Sequence, residues 1–578
     1  MSYLKNVLFL DDSKHIVSMI VMVYALYLLC FTYKKIYNTF SLGGRKTRVA
    51  IVSAKSLGGA YEDTFGVRMP PLAAACLAGV AKEKGFEAKF FDASSKKGKL
   101  DSFFSEIYDY DPDVIGFILN ASSFSKPSIE LAKKLRGLSS VIVAGGHHAT
   151  FSYSSVLRNG FDVVFLGEGE RTFGEFLDKL KKGEDWKDIR GLAYIEGEKV
   201  TSNGLPETVE KLDELPMPAF EVYERENYKM KLLDPEESIM TVETSRGCPY
   251  NCEYCSVTKM WGAKWRLKSA ERVINELKKV KELGYKWVFF VDDNFIIPVK
   301  SIISERIGLL QKMIKEGLNS LRYMVQLRAD FVAKNEWLPP LLYDAGVRVA
   351  FLGIESGDPE TLRSMRKNLI PEQSAKAVQL LSSNGIIVHG GFILGAPYES
   401  KEAMKRTIRF AEGLIGYGLD SAQFSIYTPL PGTDAFMRAA FKGDLLTLNW
   451  DLYDVLHPVM RTNISPAKLF LIQRWASYRF FIEKGIYSLK KGSFFSPPRT
   501  EKEKFLNTGK KFLMKKIPSY VIGLMKLPFS ALSIYARLRK GLSEEERIEV
   551  REIVNDTISI LPKPQKLTES LPIVSKGK

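Results

Sequence analysis

Twice along the chain, short apolar runs alternate with amphipathic stretches of helical length, and a Pro-containing segment separates the two blocks. This alternation constrains the fold most, because buried strands joined by helices close into parallel sheets. In the first block the strand candidates are 49–53, 88–92, 114–118, 141–144 and 163–166, with helical stretches such as 72–84, 100–108 and 128–135 between them. They predict a Rossmann-like, doubly wound sheet over residues 45–205. Ligands of such sheets bind outside the carboxyl ends of the strands. Those ends carry Ser56-Leu-Gly-Gly59, Asn120-Ala-Ser-Ser123, Gly145-Gly-His-His-Ala-Thr150 and Gly167-Glu-Gly-Glu170. Glycines there admit a ligand close to the backbone, and the hydroxyl and amide side chains supply hydrogen bonds. No G-x-G-x-x-G follows the first strand, so the dinucleotide fingerprint is missing.

A hairpin over 193–200 leads into a link at 206–234, where Pro216 and Pro218 hold the chain extended. Beyond it, strand candidates at 239–243, 287–291, 322–326, 348–352, 387–394 and 421–425 are each followed by helical sequence. Six units predict an incomplete (β/α)6 barrel over 235–460, with chemistry at the strands' carboxyl ends by analogy with full barrels. Polar residues recur there: Asp292-Asp-Asn294, Arg328 and Asp330, Gly353-Ile-Glu-Ser356, and Gly391 through Pro397. Acidic pairs after strands also cap the next helix, but their repetition at one edge favours a site.

Immediately after the first barrel strand come Cys248, Cys252 and Cys255, in C-x3-C-x2-C spacing. The whole chain of 578 residues has five cysteines, so three within eight positions is not the scatter that packing produces. Thiolates this close on a loop are metal ligands or a redox device. A structural zinc site wants four ligands, and the nearest histidines in sequence, His148 and His389, are far away. Three thiolates suit an iron–sulfur cubane that leaves its fourth iron open. Cys30, in an apolar run, and Cys76, on a predicted helix, are expected to be inert.

With Tyr254 just before the last cysteine, this stretch resembles the signature of the radical S-adenosylmethionine (SAM) enzymes. The resemblance implies a 4Fe-4S cluster on Cys248, Cys252 and Cys255, whose open iron chelates SAM. Reductive cleavage of SAM then yields a 5′-deoxyadenosyl radical that takes hydrogen from an unactivated carbon. It also implies SAM contacts from Tyr254, from Glu355 in the G-I-E-S stretch, from Arg328, and from Gly391, Gly395 and Pro397 in the G-x-I-x-G-x-P segment. The combination Pro70-Pro71-Leu72, Gly145-Gly146, His148-Ala-Thr150 and Gly167-Glu-Gly-Glu170 is similar to the cobalamin-binding domain that precedes some radical SAM barrels. That likeness implies cobalamin contacts from Pro71, Ser122, Gly145, Gly146, His148, Gly167, Glu168 and Gly169. The D-x-H-x-x-G motif that supplies a lower axial ligand is absent, so His148 is expected as a loop residue and not on cobalt. The fold class expected is therefore α/β, a Rossmann-like sheet, then a partial radical SAM barrel, then a helical C-terminal region.

The ends of the chain point to a membrane. Residues 16–33 carry no charge, close to the ~20 residues that span a bilayer, and no small-residue cleavage site follows. Lys34, Lys35, Arg45, Lys46 and Arg48 come after this run, whereas Asp11 and Asp12 offset Lys5 and Lys14 before it. The bias places the large remainder on the cytoplasmic face, anchored by one helix within 1–44. A helix lying in the interface, or an over-extended start, are the other readings. Residues 461–578 turn helical, aromatic and basic, which suits either a membrane interface or a helical subdomain closing the barrel, before a polar tail from Lys563. The net charge of +16 has no nucleic-acid-binding motif beside it, so no nucleic-acid partner is expected.

These expectations combine into an enzyme on a hydrophobic substrate, with a membrane lipid foremost. Cobalamin-dependent methylation or radical C–C bond formation would be the reaction, as in the hopanoid methylases and archaeal tetraether-lipid ring synthases it resembles. A donor of the ferredoxin or flavodoxin type would supply electrons. A tetrapyrrole-modifying enzyme shares both domains and is the alternative. A cobalamin sensor would not need the three cysteines, and methylthiotransferases carry three more near the N-terminus.

Overall fold

The computed structural model describes residues 47–54, 68–96 and 100–561. The expected anchor at 16–33, Cys30, the Ser56–Gly59 turn and the tail from Lys563 lie outside the described residues. Two seven-stranded sheets make up the body, and helices fill the C-terminal region.

The first sheet contains β1 (Arg48–Ser53), β2 (Glu87–Asp92), β3 (Val114–Ile118), β4 (Val141–Gly145), β5 (Val163–Phe165), β6 (Leu192–Glu196) and β7 (Lys199–Ser202). Their order is β2-β1-β3-β4-β5-β6-β7. The first five are parallel, and the last two add an antiparallel hairpin. The crossovers are α1 (Leu72–Glu83), α2 (Leu100–Tyr110), α3 (Ser125–Leu135), the short pair α4 (His147–Phe151) and α5 (Tyr153–Arg158), and α6 (Gly169–Lys182). Strands such as β1, with four consecutive buried residues, are apolar throughout because both faces are covered. The expected doubly wound sheet is present.

The Pro-containing link crosses α1 at Gly79, where any Cβ would run into the Met217 carbonyl. Only glycine lets the link pass this close, and the Ala219 amide donates to the Ala75 carbonyl (2.9 Å) just beyond.

The second sheet follows with β8 (Lys229–Met230), β9 (Asp234–Val242), β12 (Trp287–Phe290), β13 (Arg322–Arg328), β14 (Val347–Glu355), β15 (Ile387–Leu394) and β16 (Ser421–Ile426). A separate small hairpin, β10 (Ser245–Arg246) with β11 (Arg266–Leu267), stands between β9 and β12. Six strands run parallel in the order β16-β15-β14-β13-β12-β9, and β8 closes one edge antiparallel. The main covering helices are α7 (Val257–Trp261), α8 (Ala270–Glu282), α9 (Lys300–Lys315), α10 (Ala329–Lys334), α11 (Leu338–Asp344), α12 (Pro359–Ser364), α13 (Pro371–Ser383) and α14 (Lys401–Tyr417). Two strands run further than the sequence pattern indicates. Arg328 is the last residue of β13, and Gly353 to Glu355 belong to β14 instead of following it. Polar residues that looked like loop therefore sit on the more rigid strand ends.

The C-terminal region is the helical subdomain. After α15 (Asp434–Lys442), α16 (Pro466–Lys490) covers β16 and pairs with the long α17 (Glu501–Leu538). Last comes α18 (Glu544–Ile560), which returns to the first sheet. Its Asp556 accepts from the Ser154 amide (2.9 Å) and hydroxyl (2.6 Å), and Glu549 accepts from Ser155 (2.7 Å). The chain thus straps its two sheets together.

Candidate active site

The three cysteines lie on a loop closed by the β10–β11 hairpin. Gly247 makes that closure possible: its φ is +93°, and a Cβ would strike the Lys264 carbonyl. Inside the loop, Thr258 donates to the Tyr250 carbonyl (2.8 Å), and the Cys255 amide to the Cys252 carbonyl (3.2 Å). Glu253 is buried at 3% exposure and anchors the loop to the far side of the sheet. The Tyr427 hydroxyl and the Arg438 guanidinium both donate to its carboxylate. The fixed loop brings three free thiols together.

Their surroundings are electrostatically unfavourable to thiolates without a cation. Burial pushes Cys255 up to about 12, and charges on Asp293, Cys252 and Cys248 push the same way. Cys248 is raised by burial as well, and Asn294 donates to its sulfur (3.4 Å). Asp293 itself is pushed up to about 7 by burial and by the neighbouring Asp292 and Glu243. Three thiolates and a carboxylate here need positive charge among them, which iron supplies. Among the described residues no group of three His, Cys, Asp or Glu closes on a single ion. A cubane does not require that, since each cysteine takes a different iron.

Around this loop stand the strand ends. Arg328 pairs with Asp330 (3.0 and 3.2 Å), and its guanidinium lies 3.7 Å from the Tyr250 ring centre, between two of the cysteines in sequence. Glu355 holds a positive φ of 62°, uncommon for a residue with a side chain, and pairs with Lys367 (2.8 Å). Tyr254 reaches the same carboxylate, and burial followed by the Glu355 charge raises its phenol. A Cβ on Gly353 would enter the Glu355–Lys367 pair. Gly391 lies within β15, while Gly395, Ala396 and Pro397 follow its end. The Gly395 amide donates to Glu399 (2.6 Å), a carboxyl pushed by burial up to about 8. The other Glu399 oxygen and the Tyr398 hydroxyl are buried without a hydrogen-bond partner. Lys367, Tyr398, Glu399, Tyr250 and Glu253 were not singled out by sequence. Only the G-A-P-Y-E continuation of the glycine segment could have pointed to two of them.

The facing edge of the first sheet is different in kind. Pro71 precedes α1, and its carbonyl accepts from Tyr223 (2.6 Å), tying it to the link. Ser122 shares a hydrogen bond with His148 Nδ1 (3.1 Å). His148 was expected in a loop; it lies in α4, and its 3% exposure comes from packing edge-on against Trp450 (4.8 Å). Burial pushes its imidazole down to about 3, so it is neutral at ordinary pH. Gly145 ends β4, and Gly146 (φ +115°) presses on the Leu119 backbone and Asn120. Gly167 donates through its amide to Thr150 (3.1 Å), and Gly169 faces open space. The buried hydroxyls of Ser128 and Ser152 have no partner.

Glu168, expected to face cobalamin, is committed elsewhere. It pairs with Arg246 (3.2 Å) and with Arg266, both on the hairpin that closes the cysteine loop. Glu170 and Glu243 also pair with Arg246, whose guanidinium is held well above its usual value once these charges outweigh burial. The buried cluster joins the two sheets two residues from Cys248. No local pattern announces it, because its members are separated by up to 98 positions.

Residues 60–177 match the B12 binding domain, and residues 242–411 match the Radical SAM superfamily. The chain is 33% identical over 407 residues to an uncharacterized methyltransferase of Pyrococcus horikoshii, covering 70% of this chain and 85% of that one. It belongs to the B12-binding radical SAM family. At 28% identity it is also similar to an anaerobic magnesium-protoporphyrin IX monomethyl ester cyclase of Rubrivivax gelatinosus (72% of this chain, 74% of that one). The hopanoid C-3 methylase of Methylococcus capsulatus is 28% identical as well (70% and 75%). The solved structure of the cobalamin-dependent radical enzyme OxsB shares the fold, with a TM-score of 0.62 at 17% identity over 90% of this chain and 82% of that one.

As a radical SAM enzyme with a B12 domain, this chain uses a 4Fe-4S cluster, SAM and cobalamin. The site's chemistry fits all three. Three free thiols whose thiolate forms would repel one another suit the cluster. The orphaned polar atoms of Tyr398 and Glu399 beside Gly395 suit a nucleoside, and the unpartnered Ser128 and Ser152 hydroxyls suit the polar periphery of a corrinoid.

Proposed function

We propose that this enzyme of the cobalamin-dependent radical SAM methyltransferase family modifies an unactivated carbon of a hydrophobic substrate, foremost a membrane lipid. The reaction is methylation or radical C–C bond formation. The carrying observation is the facing of the two edges across the Arg246 cluster, which sets the thiol loop against the B12 edge. When bound, the cluster supplies the electron that splits SAM, and cobalamin supplies a transferable methyl group. The chain's own residues do the rest. Arg328 and the Glu355–Lys367 pair offer charges to the carboxylate, amino and ribose groups of SAM, while Glu253 keeps the cysteine loop from shifting. Tyr254, Ile393, Tyr398 and Leu430, partly buried against one apolar cluster, would serve as an apolar rim that excludes water from a radical.

The hopanoid methylase relative supports the lipid reading, as do the apolar C-terminal helices beside that rim. Residues 16–33 would anchor the enzyme on the cytoplasmic face, where a ferredoxin or flavodoxin delivers electrons. The Rubrivivax relative supports a tetrapyrrole substrate as the second reading. Lipid and pigment extracts of a deletion strain and its parent separate the two. A lost lipid species is the expected result, and an unchanged lipid profile with altered pigments overturns it. Anaerobic turnover releasing no 5′-deoxyadenosine would remove the hydrogen-abstraction scheme altogether.

A further inference from the structure

The C-terminal helices carry a surface that the chemistry leaves unused. At 38 residues, α17 is about 57 Å long, and its second half is split lengthwise. Ala531, Ile534 and Leu538 form one stripe, buried in the same apolar cluster as Tyr254, Tyr427 and Ala396. Met525 (71% exposed), Phe529 (75%) and Leu532 (66%) form a second stripe, on the solvent side. Over residues 521–538 the mean hydropathy is 1.3, and only 17% of the window is buried. A contiguous apolar face of this kind marks a contact with something else.

Charge and attachment decide what that is. From Lys504 to Ser543 the chain has nine Lys and Arg and no Asp or Glu. A second copy meeting this face would bring like charges together, whereas anionic headgroups neutralise them. The window is long enough to cross a membrane, yet its other face is tied into the protein along the same residues. Crossing would strip that stripe from its cluster and drag Lys526 and Arg537 into hydrocarbon. A helix apolar on one side, basic, and bound to its domain on the other lies in the interface plane.

We propose that the exposed face of α17 docks on an anionic lipid bilayer, parallel to its surface, and so places the rim of the active site beside the membrane. The inference deepens the membrane reading above, but vesicle contact is measured without turnover and fails or holds apart from substrate identity.

The test is hydrogen exchange of the full chain, loaded with its cluster, alone and with vesicles of phosphatidylcholine or of phosphatidylcholine with phosphatidylglycerol. Reading exchange within 510–538 isolates this face from any anchoring by residues 16–33. Protection that requires phosphatidylglycerol and falls with added salt is expected. The double substitution Met525→Glu with Phe529→Glu, at exposed positions, should weaken it at least tenfold in vesicle concentration, and so should neutralising Lys510, Lys511 and Lys515 to Gln. Iron content and thermal unfolding of these variants should match the parent. No protection with either vesicle overturns the proposal. So does equal, salt-insensitive protection by phosphatidylcholine alone, and so does protection that rises with protein concentration in the absence of vesicles, which would signal a second copy.

Discussion

The carboxyl edges of the two sheets face one another yet solve opposite problems. The barrel edge is crowded with charge, much of it paired: Arg328 with Asp330, Glu355 with Lys367, Glu253 with Arg438. The B12 edge offers Ser122, Ser128, Thr150, Ser152 and a neutral His148; of its buried carboxylates, Asp92 accepts from Tyr228 and Glu168 turns to the barrel's arginines. A charged, zwitterionic ligand and an anionic cluster need prearranged counter-charges, because desolvating them otherwise is costly. A large ligand with a mostly neutral periphery needs hydroxyls and glycines instead. The difference in side chains thus tracks the difference in cofactors.

Substituting one edge should leave the other working. Cys252→Ala should abolish the cluster, read as lost iron and 5′-deoxyadenosine production at the enzyme-free level, while corrinoid binding persists. Loss of corrinoid as well would mean that the edges fold as one unit. Next in size is Arg246→Met, which strands Glu170 and Glu243 in the interior, leaves Glu168 to Arg266 alone, and should cost about 3–5 kcal/mol in denaturant unfolding. Adding Glu170→Gln should return part of that loss. Equal stability of parent and single variant would show that the cluster does not hold the sheets together.

The strap should respond to pH. Burial pushes Asp556 up to about 6, above the ordinary carboxyl value, so the fold favours its protonated form. Docking of α18 should be firmest below pH ~4 and weaken by roughly 1–3 kcal/mol as pH rises to about 6, then level off. Hydrogen exchange of 544–560 reads this directly, and Asp556→Asn should flatten the slope. The smallest effect concerns His148→Ala: the absorption of bound cobalamin should stay unchanged, because the ring packs on Trp450 and bonds Ser122. A shifted corrinoid band would make that histidine a cobalt ligand.

Both sheets were legible because period and spacing are local properties. Strand–helix alternation follows from burial on two faces, and C-x3-C-x2-C needs nothing beyond eight consecutive residues. Glu355 and Arg328 were legible as polar residues near strand ends, though their places on the strands themselves were not. Register and length depend on neighbouring strands, and β14 runs on to Glu355 because Gly353 and Glu355 pair with β15. For the C-terminal region the sequence left a membrane face and a closing subdomain as rivals. The fold shows the subdomain, since Ala531, Ile534 and Leu538 are buried, and leaves the opposite face of the same helix exposed.

What the sequence determined by itself was the chemistry of the first step: three thiols in a fixed spacing after a strand, ahead of a run of parallel units. What only the tertiary structure decided was which charges meet. Glu168 and Arg266 are 98 residues apart, and Glu170 and Arg246 are 76 apart. Ion pairs of this kind are chosen by the closure of the chain around them, since a buried charge takes whichever opposite charge the packed fold brings within reach.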